Sequence, residues 1–155
     1  TLLIVLWLGF LAVVVGQWLF GIGDLMVLNS DGLVILQADD VNWRYAGGFC
    51  VAFLALLTVS SLSITLSCFS DNSIGPIVST MAIILLFTII GTLDVPIFDP
   101  IRPYLFTTHM ASWRSFFEDP MPWESIRNSI YILLGHNLLL VGISLITFHR
   151  KDITV

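Results

Sequence analysis

Hydroxyl side chains recur at helical spacing in one of the long apolar stretches of this sequence. Thr58, Ser61 and Thr65 stand at i, i+3 and i+7, so a helix carries them on one face. Hydroxyl groups hydrogen-bond across neighbouring membrane helices, at roughly 0.6 to 2 kcal/mol per bond, or bond to carbonyls of their own helix. The stripe is therefore interpreted either as contacts between packed helices or as the polar lining of a pathway.

A second polar group, His136 with Asn137, interrupts the last apolar stretch. An ionisable side chain inside a membrane segment is a functional candidate by default. The structural alternative is a neutral histidine that hydrogen-bonds to a neighbouring helix. We therefore take His136 and Asn137, together with the hydroxyl stripe, as candidate pathway-lining residues.

An intramembrane enzyme would have to use Asp94, His109 or His136. These residues show no metal-ligand spacing such as HExxH, and Asp94 and His109 belong to a polar segment whereas His136 does not. The sequence also contains no glycine-rich phosphate loop. It therefore predicts no catalytic residue, no metal site and no ATP hydrolysis by this chain alone.

The composition is that of an integral membrane protein. Of 155 residues, 57% are hydrophobic and 11% are charged, whereas soluble domains carry roughly a quarter charged residues. The apolar stretches 1–20, 46–69, 77–93 and 128–148 are about long enough to cross a ~30 Å hydrocarbon layer. The sequence therefore predicts one all-α transmembrane domain over 1–155, with about four transmembrane helices. Because no charged segment precedes the first stretch, it does not resemble a signal peptide, and we expect further sequence before Thr1.

The loop 21–45 joins the first two predicted spans. Two short apolar runs flank a turn signal at 29–32, which predicts either a β-hairpin or an irregular loop. Asp39 or Asp40 is a suitable N-cap for the helix that follows.

The segment 94–127, which we name the cap, joins the last two spans and contains two of the five tryptophans. Phe106, Met110, Trp113 and Phe117 stand at i, i+4, i+7 and i+11, which predicts one amphipathic helix lying in the membrane interface. These four residues are the candidate external gate helix.

Charge gives the expected orientation. The net charge is −5 and there is no basic patch, which argues against nucleic acid as a partner. Four cationic residues lie on the side of the cap and two in the tail 149–155, but the tail has the higher density. We therefore expect the loop 21–45 and the cap outside the cell and the C-terminus in the cytoplasm.

Together these features resemble the C-terminal part of a type-2 ATP-binding-cassette transporter permease. One such feature is the serine-rich span at 46–73, which leads into a short polar turn. The others are Pro103-Tyr104-Leu105 followed by Thr107-Thr108-His109, then Trp113-Arg114, and the ending 148–153.

The resemblance implies that the chain supplies spans three to six of a six-span permease, with the cap as the family's external helices between the last two. It implies an exporter in the plasma membrane, specifically a prokaryotic inner membrane. A second permease copy or homologue completes the pathway, and a separate ATPase subunit binds ATP and Mg²⁺, so this chain binds no cofactor. The alternative is a non-transporting scaffold or assembly subunit of a larger membrane complex.

Overall fold

The computed structural model describes residues 2–21, 23–29, 32–70, 72 and 74–150. The elements in chain order are helix α1 (Leu2–Phe20), strands β1 (Leu25–Asn29) and β2 (Gly32–Leu36), and helices α2 (Ala38–Phe69), α3 (Ile74–Thr92), α4 (Phe106–His109) and α5 (Trp123–Arg150). Short 3₁₀ turns cover Pro96–Phe98, Arg102–Tyr104 and Ser112–Phe117.

In the described part of the chain, α2, α3 and α5 are long and apolar enough to cross a membrane. This agrees with a mainly helical, multi-pass membrane protein. The predicted first span forms α1. Its described apolar part, Trp7–Phe20, is shorter than the three helices that could cross a membrane. The count of four spans therefore stays a prediction.

The loop after α1 folds as a β-hairpin. β1 and β2 pair antiparallel, with Leu25 opposite Leu36 and Asn29 opposite Gly32. The hairpin alternative is confirmed. Leu36 is buried, which anchors one end of the hairpin.

Helix α2 begins at Ala38, eight residues before the predicted span. Its N-cap is Gln37, so the prediction of Asp39 or Asp40 as the cap is wrong. Asp24 Oδ1 accepts a hydrogen bond from the Ala38 amide at 3.1 Å, across the hairpin. Asp39 and Asp40 lie in the first turn instead, where the attraction between their negative charge and the positive end of the helix dipole is stabilising.

The main core lies where α2, α3, α4 and α5 meet. Its buried residues are Ala55 and Leu62 of α2, Phe106 of α4 and Leu133 of α5. Apolar side chains of α3 pack against them, so α2 and α3 are neighbours, as their short connection predicts. A smaller core joins Val51, Phe116 and Ile126, and it attaches the end of the cap to α2 and α5.

The cap does not contain the predicted continuous helix. The segment forms the four-residue helix α4, a turn at Met110 and Ala111, and the 3₁₀ turn Ser112–Phe117. The physical reason is that Phe106 and Phe116 are both buried, but in different cores. One straight helix with a single apolar face does not fill both.

The other boundaries shift by a few residues. The spans predicted at 77–93 and 128–148 are the helices Ile74–Thr92 and Trp123–Arg150. The last five residues of the cap therefore form the first turns of α5. Of the predicted tail, 151–155 lie outside the described residues.

Candidate functional site

Asn137 joins α5 to α2 through a set of polar contacts that we name the polar seam: Thr58, Ser61, Thr65, Asn137 and Ser144. The Asn137 amide nitrogen donates to Thr58 Oγ1 at 2.7 Å and to the Leu133 carbonyl at 3.0 Å. Its carbonyl oxygen accepts from Ser61 Oγ at 2.9 Å. One amide therefore binds two hydroxyls of the opposite helix.

Thr65 forms the other end of the polar seam. Its hydroxyl lies 2.7 Å from the Ser61 carbonyl, 2.8 Å from Ser144 Oγ and 3.1 Å from the Leu140 carbonyl. Ser144 Oγ also donates to Leu140 at 3.0 Å. The contacts thus continue along the interface between α2 and α5.

Four of the five residues of the polar seam are buried within this chain, and Ser144 is half-buried. Thr58 is 0% exposed, and Ser61, Thr65 and Asn137 are each buried. Burying polar groups is favourable only when they are hydrogen-bonded, and these four are. Their contacts agree with the interpretation that the hydroxyl stripe joins packed helices.

His136 points elsewhere. Its Nδ1 donates to the Ile132 carbonyl of its own helix at 2.9 Å. The ring lies 5.7 Å from the ring of Phe106, between centroids. In the described part of the chain its Nε2 has no hydrogen-bond partner, and the side chain is half-buried. His136 and Asn137, adjacent in sequence, therefore face different environments.

The four predicted gate residues divide between two places. Phe106 and Met110 pack into the main core, where Phe106 makes an edge contact with Phe87 of α3 at 5.7 Å. Trp113 and Phe117 of the cap pack against α2, and the ring of Phe117 lies 5.1 Å from that of Tyr45, between centroids. They line no common helix face, but they fasten the cap to two sides of the bundle.

Arg44 of α2 fastens the end of the cap, a role that the sequence analysis did not identify. Its NH1 donates to the carbonyl of Phe116 at 3.1 Å and to that of Glu118 at 3.0 Å. The side chain is buried, and its nearest carboxylate, Asp40, is 3.9 Å away. The signal in the sequence is a lone arginine between Trp43 and Tyr45 at the start of a span.

His109 is a second fastening that the sequence analysis missed. Its Nε2 donates to the Pro103 carbonyl at 2.8 Å, and its Nδ1 lies 2.9 Å from Ser129 Oγ of α5. It therefore ties α4 both to the preceding turn and to α5. Asp94 instead lies 3.6 Å from Arg102. The described residues contain no group of three or more His, Cys, Asp and Glu that could hold a metal ion.

Glycines let the cap approach α2 closely. A Cβ at Gly47 would overlap Cε1 of Phe116 and lie 2.8 Å from its Cδ1. A Cβ at Gly48 would make only ordinary van der Waals contacts, at 3.5 Å from Phe117 and from the Trp113 carbonyl, so the close approach depends on Gly47. The ring of Phe116 therefore occupies the place of the missing side chain at Gly47.

Lysine in place of Arg44 is expected to loosen this fastening without removing the charge. A lysine ammonium is a point charge that does not reproduce the fork of a guanidinium. Loss of one carbonyl bond should lower the free energy of unfolding in detergent micelles by roughly 1 kcal/mol. The matched control, Arg127→Lys, changes an exposed arginine and should leave the free energy of unfolding unaltered. Equal stability of both variants would contradict the role assigned to Arg44.

Comparison with known protein families, with curated proteins and with solved structures gave no match to this chain.

Proposed function

We propose that the chain is the membrane-spanning permease part of an ATP-binding-cassette exporter, driven by a separate ATPase subunit. The observation that carries the proposal is the order of the elements. Two long apolar helices, α2 and α3, are followed by a folded aromatic cap and a last apolar helix, α5. This is the order that the sequence resemblance implies for the end of a type-2 permease.

In this proposal α1 is a further span, so the chain contributes spans three to six. A second permease copy or homologue encloses the pathway with it, and the ATPase binds ATP and Mg²⁺. The cap lies outside a prokaryotic inner membrane and closes the outer end of the pathway. The contacts of Arg44 and His109 support this role, because they join the cap to α2 and α5 and would transmit a movement of either helix.

Among the five candidate lining residues, His136 is the one that we assign to the pathway. Its ring is half-buried beside Phe106 of the cap, and its Nε2 is left without a partner among the described residues. Thr58, Ser61 and Asn137 bind one another instead. The proposal thus places one titratable group next to the gate.

A second candidate is a scaffold or assembly subunit that transports nothing. The polar seam favours it, because its hydroxyl and amide groups are satisfied within the chain. Such groups stabilise a helix pair whether or not a solute passes.

Purification of the native complex distinguishes the two candidates. We expect the tagged chain, extracted from its own membrane in mild detergent, to retain an ATPase whose hydrolysis of ATP falls when this chain is removed. A variant of the ATPase without its phosphate-binding lysine is the control for contaminating activity. A stable complex that contains no ATPase would contradict the exporter and support the scaffold.

A further inference from the structure

A cavity of about 320 Å³ lies between α2 and the 3₁₀ turn Ser112–Phe117 of the cap. Four aromatic residues and two small residues line it: Tyr45, Gly48, Phe49, Ala52, Trp113 and Phe117. Its size is within the range of ligand sites in proteins, roughly 300 to 1,000 Å³.

Gly48 and Ala52 are one helical turn apart on α2, so the small side chains form one wall of the cavity. Edge-to-face ring contacts join the cap side of the cavity to α2. Phe117 lies 5.1 Å from Tyr45 and 6.4 Å from Trp113, between ring centroids. The cavity therefore has a defined shape, and its aromatic and aliphatic lining suits a hydrocarbon chain.

A cation lies beside this apolar space. The guanidinium carbon of Arg114 is 5.5 Å from the centre of the Trp113 ring, and Trp113 lines the cavity. The side chain is exposed and forms no ion pair with a described residue. In contrast, Arg44 is bound to backbone carbonyls and Arg102 to Asp99. Arg114 is thus free to bind an anion from outside the chain.

The position along α2 indicates where the occupant comes from. Tyr45 and Gly48 lie where the polar start of α2 passes into its long apolar run. Aromatic side chains gather at this level in membrane proteins, next to the lipid headgroups. A bilayer lipid is therefore the molecule whose acyl chain and headgroup are in reach of both the cavity and Arg114.

We propose that this cavity binds one acyl chain of an anionic phospholipid, whose phosphate lies against Arg114. The chain fills the space between the aromatic wall and the small side chains of α2. The guanidinium selects a headgroup that carries a net negative charge. The site depends on α2 crossing the bilayer and does not depend on transport, so it holds equally for an exporter and for a scaffold.

Bromine-labelled lipids test the site directly, because bromine quenches a tryptophan that it contacts. The full chain is placed in phosphatidylcholine nanodiscs with a minor share of dibrominated phosphatidylglycerol or of dibrominated phosphatidylcholine. The Trp113→Phe variant gives the signal of the other four tryptophans, and the difference is the Trp113 signal. We expect the anionic lipid to quench this signal about fivefold more effectively, from the attraction of one surface cation to an anionic headgroup.

Two pairs of variants separate the headgroup from the acyl chain. Arg114→Gln should remove the preference for the anionic lipid, and Arg114→Lys should keep it. Ala52→Leu should reduce quenching by both lipids because the leucine fills the cavity, whereas Ala82→Leu, at an exposed position of α3, should not. If Ala52→Leu does not fold, the two Arg114 variants decide the matter, since that side chain is exposed.

Two outcomes would overturn the proposal. Equal quenching of Trp113 by both lipids would mean that Arg114 selects no headgroup. Absence of quenching by either lipid would mean that protein, either another segment or a second chain, covers the cavity.

Discussion

Alanine in place of Gly47 is expected to release the end of the cap from α2. The new Cβ would overlap the ring of Phe116, and real Cβ atoms do not come within 3.0 Å of a neighbour. The ring has little room to retreat, because it is buried against Val51 and Ile126. Overpacking of this kind costs roughly 1 to 3 kcal/mol, and the bonds from Arg44 to Phe116 and Glu118 are strained with it.

Limited proteolysis measures the release of the cap. The bond after Arg114 lies in the 3₁₀ turn next to Phe116, so trypsin should cut it faster in the Gly47→Ala protein than in the unchanged one. Gly142→Ala is the matched control, since nothing lies within 4 Å of a Cβ at that position. Alanine there should be neutral or stabilising by up to about 1 kcal/mol, from its better helix propensity. An unchanged cleavage rate for Gly47→Ala would mean that Phe116 does not depend on this glycine.

The long helices follow from composition, because uncharged stretches of this length leave few other structures in a membrane. The hairpin was one of two alternatives that the local sequence left open, since two β-prone runs flank a turn signal, and the structure confirms it. The start of α2 does not follow from the local sequence. Its first amide binds Asp24, fourteen residues earlier in the chain, and only the folded hairpin brings that carboxylate to the helix end.

The cap shows why helical spacing alone misleads. Phe106 and Phe117 fit one amphipathic helix, but tertiary packing directs Phe106 to α3 and α5 and Phe117 to α2. A turn at Met110 and Ala111 therefore separates α4 from the 3₁₀ turn Ser112–Phe117. The partners of Arg44 could not be predicted from the sequence either, because they are backbone carbonyls that any residue would supply.

The sequence identified the candidate lining residues as a group and left open whether they pack helices or line a pathway. Spacing correctly placed Thr58, Ser61 and Thr65 on one face of α2, and the structure adds that Asn137 faces them. Sequence proximity joined His136 to Asn137, although side chains next to each other on a helix point about 100° apart. The two neighbours therefore differ in what they touch.

Asn137→Ala is consequently expected to lower mainly the stability of the chain, and His136→Ala to change mainly its activity. Asn137→Ala removes two hydroxyl bonds between α5 and α2 and a longer bond, of 3.5 Å, to the Leu54 carbonyl of α2, and it leaves Ser61 without its acceptor. At roughly 0.6 to 2 kcal/mol per bond between membrane helices, the free energy of unfolding should fall by about 1 to 4 kcal/mol. His136→Ala removes one bond within α5 and should cost less.

The measurement is the yield and stability of the purified chain together with the ATPase activity per folded complex. Asn137→Ala should lower yield and stability, and leave the activity of the remaining folded complex near normal. His136→Ala should change the activity more than the yield, because its ring lies beside the candidate gate residue Phe106 and its Nε2 has no hydrogen-bond partner among the described residues. A double-mutant cycle of Asn137→Ala with Ser61→Ala should give a coupling of about 0.6 kcal/mol or more.

The reverse pattern would exchange the two roles. If Asn137→Ala kept its stability and altered the activity, the polar seam would have to open during a transport cycle and α5 would part from α2. If His136→Ala lowered yield and activity equally, the histidine would be a packing residue. Because the two side chains are adjacent on one helix, both variants change the same part of α5, and a difference between them reflects which neighbour each side chain binds.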